Sequence, residues 1–226
     1  MFRHCVKLLF VPFYFVRFPD FFLGDQFTSH SQTLVDLLHV LVSLFTGSFL
    51  YFRDPFASYS PTTLSVIQIS LSILPQFIRL AQNLRRYHDS KELYPSIYNG
   101  IKYLLSIIAN SLVLFKLPYF CAQFIYTIYA LCWDLHEDWG LLRIRQDKTL
   151  LRAKCLIPYP VAYYLAIVNN TILRFAWILK LFIVIMNSEN QNKMLLVFGC
   201  IEVIRRNIWN VFRMENEQVN NCGKFR

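Results

Sequence analysis

The sequence has little charge: 16% of its 226 residues are Asp, Glu, Lys or Arg, against about a quarter in an average soluble domain. Acidic residues are especially few, with 14 Asp and Glu against 23 Lys and Arg, and the net charge is +9. Hydrophobic residues make up 55% of the chain. This composition excludes a disordered or fibrous chain and argues against a lone soluble domain. In an apolar chain, excess basic residues are typical of the flanks of membrane helices, so we expect no nucleic-acid partner.

The motifs of common catalytic, nucleotide-binding and metal-binding sites are also missing. There is no P-loop, GxGxxG, GxSxG or HExxH pattern, and the six cysteines form no CxxC pair. The histidines lack the spacing of metal ligands; they are His4, His30, His39, His88 and His136. We therefore expect no catalytic residue, metal or cofactor, which leaves a membrane enzyme as the least supported class. The cysteines are interpreted as reduced, structural thiols.

Six apolar stretches approach or exceed the roughly 20 residues that a membrane-spanning helix needs. They are 33–52, 61–80, 97–115, 118–135, 158–186 and 194–211. The fifth is long enough to tilt or to comprise two short helices, and the sixth is interrupted by Glu202, Arg205 and Arg206. An aromatic stretch at 5–18 is short and is interpreted as an interfacial or partial helix. The sequence thus predicts an all-α, polytopic membrane bundle of about six transmembrane helices.

Basic residues alternate between the connections of these stretches. They cluster before the first, after the second, after the fourth and at the C-terminus, whereas the other connections carry only Arg53, Lys116 and Lys193. Because cytoplasmic loops are rich in Lys and Arg, this alternation predicts six spans rather than five, with both termini in the cytosol. We expect an interfacial or partial helix and entry segment over 1–31, the transmembrane bundle over 32–213, and a cytoplasmic tail over 214–226.

Ionisable and polar side chains inside the apolar stretches are the candidates for function. They are Lys102, Tyr103, Asp134, Asp138, Arg174, Lys180, Glu202, Arg205 and Arg206. A cation at the bilayer centre costs about 2.5–3.5 kcal/mol, so these cations must face carboxylates, each other or water. Two interpretations stay open: structural ion pairs or snorkelling, which suits Lys180 and Asp36, and an anion-binding site.

Arg174 fits the structural interpretation less well than the others. Asn170 lies one helical turn before it and Trp177 one turn after it, so one helical face would carry an amide, a guanidinium and an indole. Arg is the cation best suited to phosphate, because its planar fork donates two parallel hydrogen bonds.

Glu202 and Arg206 are four residues apart and are predicted to pair within their helix. Arg205 is then left without an evident local partner. Cations outnumber carboxylates inside the predicted spans, and this excess favours an anionic ligand.

Ordered motifs along almost the whole chain resemble a known family. They are DFFLGDQ at 20–26, RLAQNLRRY at 79–87, NGIKY at 99–103, WDL at 133–135, DWG at 138–140, LRFAW at 173–177, EVIRR at 202–206, WN at 209–210, ENE at 215–217 and NNCG at 220–223. This series resembles the EXS domain of the SPX–EXS inorganic phosphate exporters, a family that includes the xenotropic and polytropic retrovirus receptor.

The resemblance implies export of inorganic phosphate along a cation-lined path inside the helical bundle. The residues that resemble the family's phosphate path are Asp25, Ser31, Lys102, Tyr103, Asp134, Asp138, Arg174, Arg205 and Arg206. Trp177 resembles a gating aromatic, and Glu202 and Asn170 are expected to support the path. Asp25 and Ser31 are implied by the resemblance alone.

Full-length members of this family carry an SPX domain, which senses inositol pyrophosphates, and further membrane helices. Neither is recognisable in these 226 residues, so the chain is expected to be either a fragment or truncated product of a longer protein or a short EXS-only member. Inositol pyrophosphate is expected as a partner only if an SPX domain is supplied elsewhere. Short EXS-only relatives act in the Golgi. The alternative function is therefore a non-transporting membrane protein, either a Golgi retention factor or a receptor-like protein. Plasma membrane and Golgi both stay open as locations, as does a homodimer.

Overall fold

The computed structural model describes residues 6–8, 10–47, 61–142, 150–152, 154–185 and 191–221. Over these ranges it is helical and contains no β-strand, which confirms the all-α prediction there. The helices are α1 (Phe18–Ser29), α2 (Ser31–Phe45), α3 (Pro61–Ser90), α4 (Ser96–Ser111), α5 (Lys116–Trp133), α6 (Pro160–Arg174), α7 (Ala176–Ile185) and α8 (Gln191–Asn220). The chain divides into two compact units, Met1–Gln123 and Phe124–Arg226.

The start of the first unit is attached to α3 by buried apolar side chains. A 3-10 turn at Val11–Phe13 precedes α1, and Leu8 and Val11 pack against Ile78 of α3. Helix α1 then begins with a proline in its first turn, and the Asp20 carboxylate accepts the backbone N–H of Arg17 at 3.1 Å. Both features are typical of a helix N-terminus.

Helix α3 continues to Ser90, well beyond the apolar stretch that ends at 80. The side chains near and beyond the end of this stretch include Arg79, Gln82 and Asn83, and all three are fully buried. Each of these three side chains forms at least one hydrogen bond inside the unit. Tertiary packing, rather than an unbroken apolar run, therefore supports this part of the helix.

The second unit is organised around two interruptions of helical geometry. Helix α5 ends at Trp133 and passes into a single π-helical turn at Asp134–Asp138, a distortion that is common at functional sites. The stretch 158–186 forms two helices, α6 and α7, separated at Phe175. Of the two outcomes expected for this stretch, tilting or division into two pieces, the structure has the division.

Two segments of the described chain are long and apolar enough to cross a membrane, Thr63–Ser90 and Pro160–Leu179. Helices α2 and α4 have only 15 and 16 residues, and α8 carries three charges in its middle. Residues 48–60, which include the end of the first predicted span, and 222–226 of the predicted tail lie outside the described residues. The count of about six spans stays a prediction.

Candidate functional site

A buried ion pair between Asp25 and Arg79 lies at the centre of the first unit. Arg79 Nε is 2.9 Å from Asp25 Oδ1 and 3.1 Å from the Tyr103 hydroxyl oxygen. The Tyr103 hydroxyl donates to the same carboxylate oxygen at 2.5 Å. These three side chains, from α1, α3 and α4, form what we call the Asp25 cluster. Each is at least 95% buried, so the cluster is shielded from solvent.

The close approach of α1 to α3 holds Arg79 in place. The Arg79 guanidinium lies 3.8 Å from the centroid of the Phe21 ring, a cation–π contact. Gln82 accepts a hydrogen bond from Arg79 and donates one to the Asp20 carbonyl at 2.9 Å. A Cβ at Gly24 would lie 2.7 Å from Arg79 Cδ and 2.6 Å from the Gln82 side-chain oxygen. Glycine at this position therefore permits the approach.

The other predicted residues of this unit are Lys102 and Ser31. Lys102 is buried next to the Asp25 cluster, with Nζ 5.0 Å from the centroid of the Tyr103 ring. Ser31 lies at the start of α2, where its hydroxyl and the Gln76 side-chain amide are hydrogen-bonded at 3.1 Å. The structure thus brings Asp25, Lys102 and Tyr103 together and places Ser31 in a different set of contacts.

Arg79 is the functional candidate that the sequence analysis missed in this unit. A cation at the end of an apolar stretch usually extends its head group towards the membrane surface, and Arg79 stands at the end of the stretch 61–80. Its side chain instead turns inward and is fully buried. The available signal was its place in the motif RLAQNLRRY, one of the motifs that carry the family resemblance.

Asp134 is the centre of a buried cluster in the second unit. Arg174 donates to Asp134 Oδ2 from Nε at 2.9 Å and also from Nη2. Asn170 donates to the same oxygen at 3.3 Å and accepts from Arg205 Nη1 at 3.2 Å. Glu202 binds the other side of Arg205 bidentately, at 2.8 Å to Nε and 2.6 Å to Nη2. We call these five side chains the Asp134 cluster.

The expectation that Arg205 has no local partner is wrong, because Glu202 lies one turn before it and binds it. Residues three and four apart are both neighbours on a helix, so the sequence did not decide which arginine Glu202 would reach. Arg205 is buried and contacts Asn170 of α6, so its orientation is set by packing between helices. The Arg206 guanidinium lies 4.8 Å from the centroid of the Trp209 ring.

The predicted helical face of Asn170, Arg174 and Trp177 is interrupted. Asn170 and Arg174 both contact Asp134, but α6 ends at Arg174, and Trp177 belongs to the first turn of α7. Helical periodicity does not continue across a break, so the three-residue spacing no longer implies a shared face. Trp177 is half-buried in its own helix.

Asp138 lies outside the Asp134 cluster and pairs with a different arginine. Arg213 Nε is 3.4 Å from Asp138 Oδ1, and Arg213 Nη1 donates to Glu217 at 2.9 Å. The neighbouring Asn216 donates to the Asp138 carbonyl at 3.0 Å. These contacts join the π-turn to the last turns of α8.

Glu215 links the same end of α8 to the connection before α6. It accepts hydrogen bonds from the Tyr163 hydroxyl at 2.5 Å and from the backbone N–H of Leu156 at 2.6 Å, and it pairs with Arg152 at 2.5 Å. Burial raises the pKa of the Glu215 carboxyl, but the hydrogen bonds and the Arg152 charge outweigh burial. Its pKa therefore lies below the usual value for glutamate.

The Asp134 cluster is balanced in charge, with two arginines against Asp134 and Glu202. The excess of cations predicted from the sequence is therefore not found in this cluster, while the Lys180 side chain lies outside the described residues. Ion pairing of this kind satisfies buried arginines without a ligand, so an anion must compete with carboxylates to bind here. Over the described ranges, His, Cys, Asp and Glu side chains form no metal-binding group of three or more.

Comparison with known proteins gives a match over nearly the whole chain. The model of the EXS family matches residues 1–219. Phosphate transporter PHO1 homolog 4 of Arabidopsis thaliana is 36% identical over 224 residues, which cover 95% of this chain and 30% of that protein.

Two animal proteins show similar identity. The xenotropic and polytropic retrovirus receptor 1 homolog of Xenopus laevis is 33% identical, over 98% of this chain and 36% of its own length. Solute carrier family 53 member 1 of Cricetulus griseus is also 33% identical, with the same two coverages of 98% and 36%. The chain therefore spans about a third of the length of these relatives.

Proposed function

Because this chain belongs to the EXS family, we propose that it exports inorganic phosphate across a membrane, along a cation-lined path inside its helical bundle. The observation that carries the proposal is similarity over 95% of the chain to a relative named a phosphate transporter. No enzymatic step is needed for this function. Inorganic phosphate is the substrate, and an inositol pyrophosphate would act only through an SPX domain supplied elsewhere.

The proposed location is a lipid bilayer, crossed about six times by residues 32–213 with both termini cytoplasmic. Residues 1–31 form the interfacial entry segment and 214–226 the cytoplasmic tail. Apolar side chains exposed on the described helices support this placement; Phe45, for example, is 89% exposed. Water-soluble proteins rarely expose so many large apolar side chains. Plasma membrane and Golgi are both compatible with the proposal, as is a homodimer.

Each buried cluster supplies groups suited to phosphate. In the Asp134 cluster, Arg174 and Arg205 offer guanidinium forks that match phosphate oxygens, and Asn170 connects them. In the first unit, Lys102 and Arg79 supply positive charge beside the Tyr103 hydroxyl.

Trp177 is the proposed gate, since an indole can close a narrow pore by excluding water. Removal of the indole in Trp177→Ala should increase phosphate leak.

Three residues of the proposed phosphate path lie outside both buried clusters: Ser31, Asp138 and Arg206. These three residues belong to the proposed phosphate path by family resemblance, and their contacts are with Gln76, Arg213 and Trp209, respectively. We propose that they contact phosphate during its passage rather than form part of either buried cluster.

The second candidate function is a non-transporting membrane protein, such as a retention factor or receptor-like protein. The charge balance of the Asp134 cluster favours it, because paired arginines can be purely structural. Phosphate efflux from proteoliposomes that contain only this chain separates the two functions. Release above that from protein-free liposomes supports transport. Absence of release from folded, monodisperse protein would favour the second candidate.

A further inference from the structure

Glu202 occupies the Nε–Nη2 edge of the Arg205 guanidinium. Its two carboxylate oxygens accept from Arg205 Nε at 2.8 Å and from Nη2 at 2.6 Å. This is the bidentate geometry in which arginine also binds phosphate. Both residues lie on α8, three positions apart, so the pair forms within one helix.

The two carboxylates of the Asp134 cluster differ in burial. The Asp134 side chain is 2% exposed and is bound by Arg174 and Asn170, with Arg205 Nη1 at 3.9 Å. The Glu202 side chain is 36% exposed, while that of Arg205 is only 5% exposed. Asp134 is therefore the carboxylate that packing and two partners hold in place. Glu202 is the more exposed carboxylate, so its side chain can turn away from Arg205 at a smaller cost than Asp134 can leave Arg174.

From this difference we infer that Glu202 is a built-in competitor of the transported anion: it holds Arg205 when phosphate is absent, and phosphate replaces it. This inference rests on the proposed function. The exchange is non-covalent and substitutes one anion for another at the same guanidinium, so Arg205 never stays buried without a negative partner.

Competition from Glu202 promotes the release of phosphate during transport. A transported ion must bind strongly enough to enter and weakly enough to leave. Two buried arginines without a competing carboxylate would retain phosphate and slow its release. When Glu202 returns to Arg205, the departing phosphate loses a bidentate partner and the arginine regains one.

The test is phosphate binding to the full chain with Glu202→Gln, which keeps the size of the side chain and removes its charge. Phosphate-dependent thermal stabilisation of the purified protein in detergent gives the half-saturating phosphate concentration without any need for transport. We expect it to fall about fivefold in Glu202→Gln, because the weakened competitor is a partly exposed ion pair. Glu202→Asp, which keeps the charge, should stay nearer to the wild type.

A matched control removes a carboxylate from another partly exposed ion pair within a helix. Asp89 pairs with Arg85 one turn earlier in α3, at 3.0 Å, outside both buried clusters. Asp89→Asn should leave the half-saturating concentration unchanged. The inference is overturned if Glu202→Gln binds phosphate no more tightly than the wild type, or not at all. Tighter binding in Glu202→Gln together with absent efflux from wild-type proteoliposomes would support the competitor and contradict the proposed transport.

Discussion

Arg174 ends helix α6 and donates to Asp134 from two of its nitrogen atoms. The same fork is suited to phosphate, so ion pairing and anion binding have to be separated by substitution. Lysine at this position keeps the positive charge but has no planar fork, and therefore cannot bind two oxygens in parallel. Alanine removes both the charge and the fork.

We expect Arg174→Ala to abolish phosphate efflux from proteoliposomes and Arg174→Lys to lower it about tenfold, the cost of one charge-assisted hydrogen bond. Initial efflux rates at equal protein content provide the measurement, and thermal unfolding of both variants controls for folding. Normal efflux from folded Arg174→Ala protein would leave Arg174 as an ion-pairing residue only.

Asp25 and Asp134 raise the question of anion selectivity. Near neutral pH inorganic phosphate keeps at least one P–OH proton, whereas sulfate keeps none. A carboxylate in the path can accept a hydrogen bond from phosphate but repels sulfate, and a buried group without its hydrogen bond costs about 1–3 kcal/mol. The alternative is that both carboxylates only neutralise Arg79 and Arg174, which they contact.

If the carboxylates select phosphate, Asp25→Asn or Asp134→Asn should lower the phosphate-to-sulfate flux ratio about tenfold. Both fluxes are measured on the same proteoliposome preparation, so differences in protein content cancel. A parallel change of both fluxes in both variants would show that the carboxylates act as counter-ions.

At the scale of elements, the contact of α1 with α3 depends on the small size of Gly24. The Asp25 cluster joins these two helices, and a Cβ at Gly24 would overlap both Arg79 and Gln82. Gly199, on α8, offers a comparison, because a Cβ there would meet no atom within 4 Å.

We expect Gly24→Ala to lower the free energy of unfolding by about 1–3 kcal/mol, the usual cost of overpacking. Gly199→Ala should leave it unchanged or raise it by up to about 1 kcal/mol, since alanine is the better helix former. Denaturant unfolding in detergent, followed by circular dichroism, measures both. Equal destabilisation by the two substitutions would contradict the close packing of α1 on α3.

Glu215 makes the attachment of α8 to the connection before α6 dependent on pH. Its pKa is lower in the folded protein than the ordinary value of 4.5. A carboxyl with a lowered folded-state pKa stabilises the fold above its unfolded pKa, and this contribution disappears as the pH falls through the folded value.

Glu215→Gln should therefore lower the free energy of unfolding by about 2 kcal/mol at neutral pH, through loss of charge-assisted hydrogen bonds. The difference from the wild type should shrink as the pH falls below about 4.5. Thermal unfolding of both proteins across this pH range measures it. A difference that does not change with pH would mean that Glu215 acts by shape rather than by charge.

At the scale of the whole molecule, the number of spans sets the side of the membrane on which each terminus lies. Two of the described helical segments are long and apolar enough to be candidate spans, whereas the alternation of basic connections predicts six. An even number places both termini on one side. Cysteines near the two ends of the chain, Cys5 and Cys222, allow this to be tested with native residues.

Variants that retain only Cys5 or only Cys222 should react with a membrane-impermeant maleimide only after cells are permeabilised, because both termini are predicted to be cytoplasmic. Lys116→Cys in a cysteine-free background is the matched control, since it lies in a predicted outer connection and should react in intact cells when the protein is in the plasma membrane. Reaction of the two termini from opposite sides would require an odd number of spans.

The helical class, the family and several of the buried charged residues can be read from the sequence. The family follows from the series of ordered motifs. The helical class and the interior charges follow from the apolar stretches, which predict helices and require a charge inside them to be buried or functional. That reasoning predicts Lys102, Asp134, Arg174 and Arg205 as interior residues, and all four are largely buried.

Which of these charges pair depends on the packing of the helices. Arg79 proved to be the partner of Asp25, Glu202 bound Arg205, and the break at Phe175 placed Trp177 in a new helix. These outcomes depend on how side chains from separate helices approach one another. Sequence spacing constrains neighbours within one helix, but an ion pair between helices depends on their packing, and that packing is set by the whole chain.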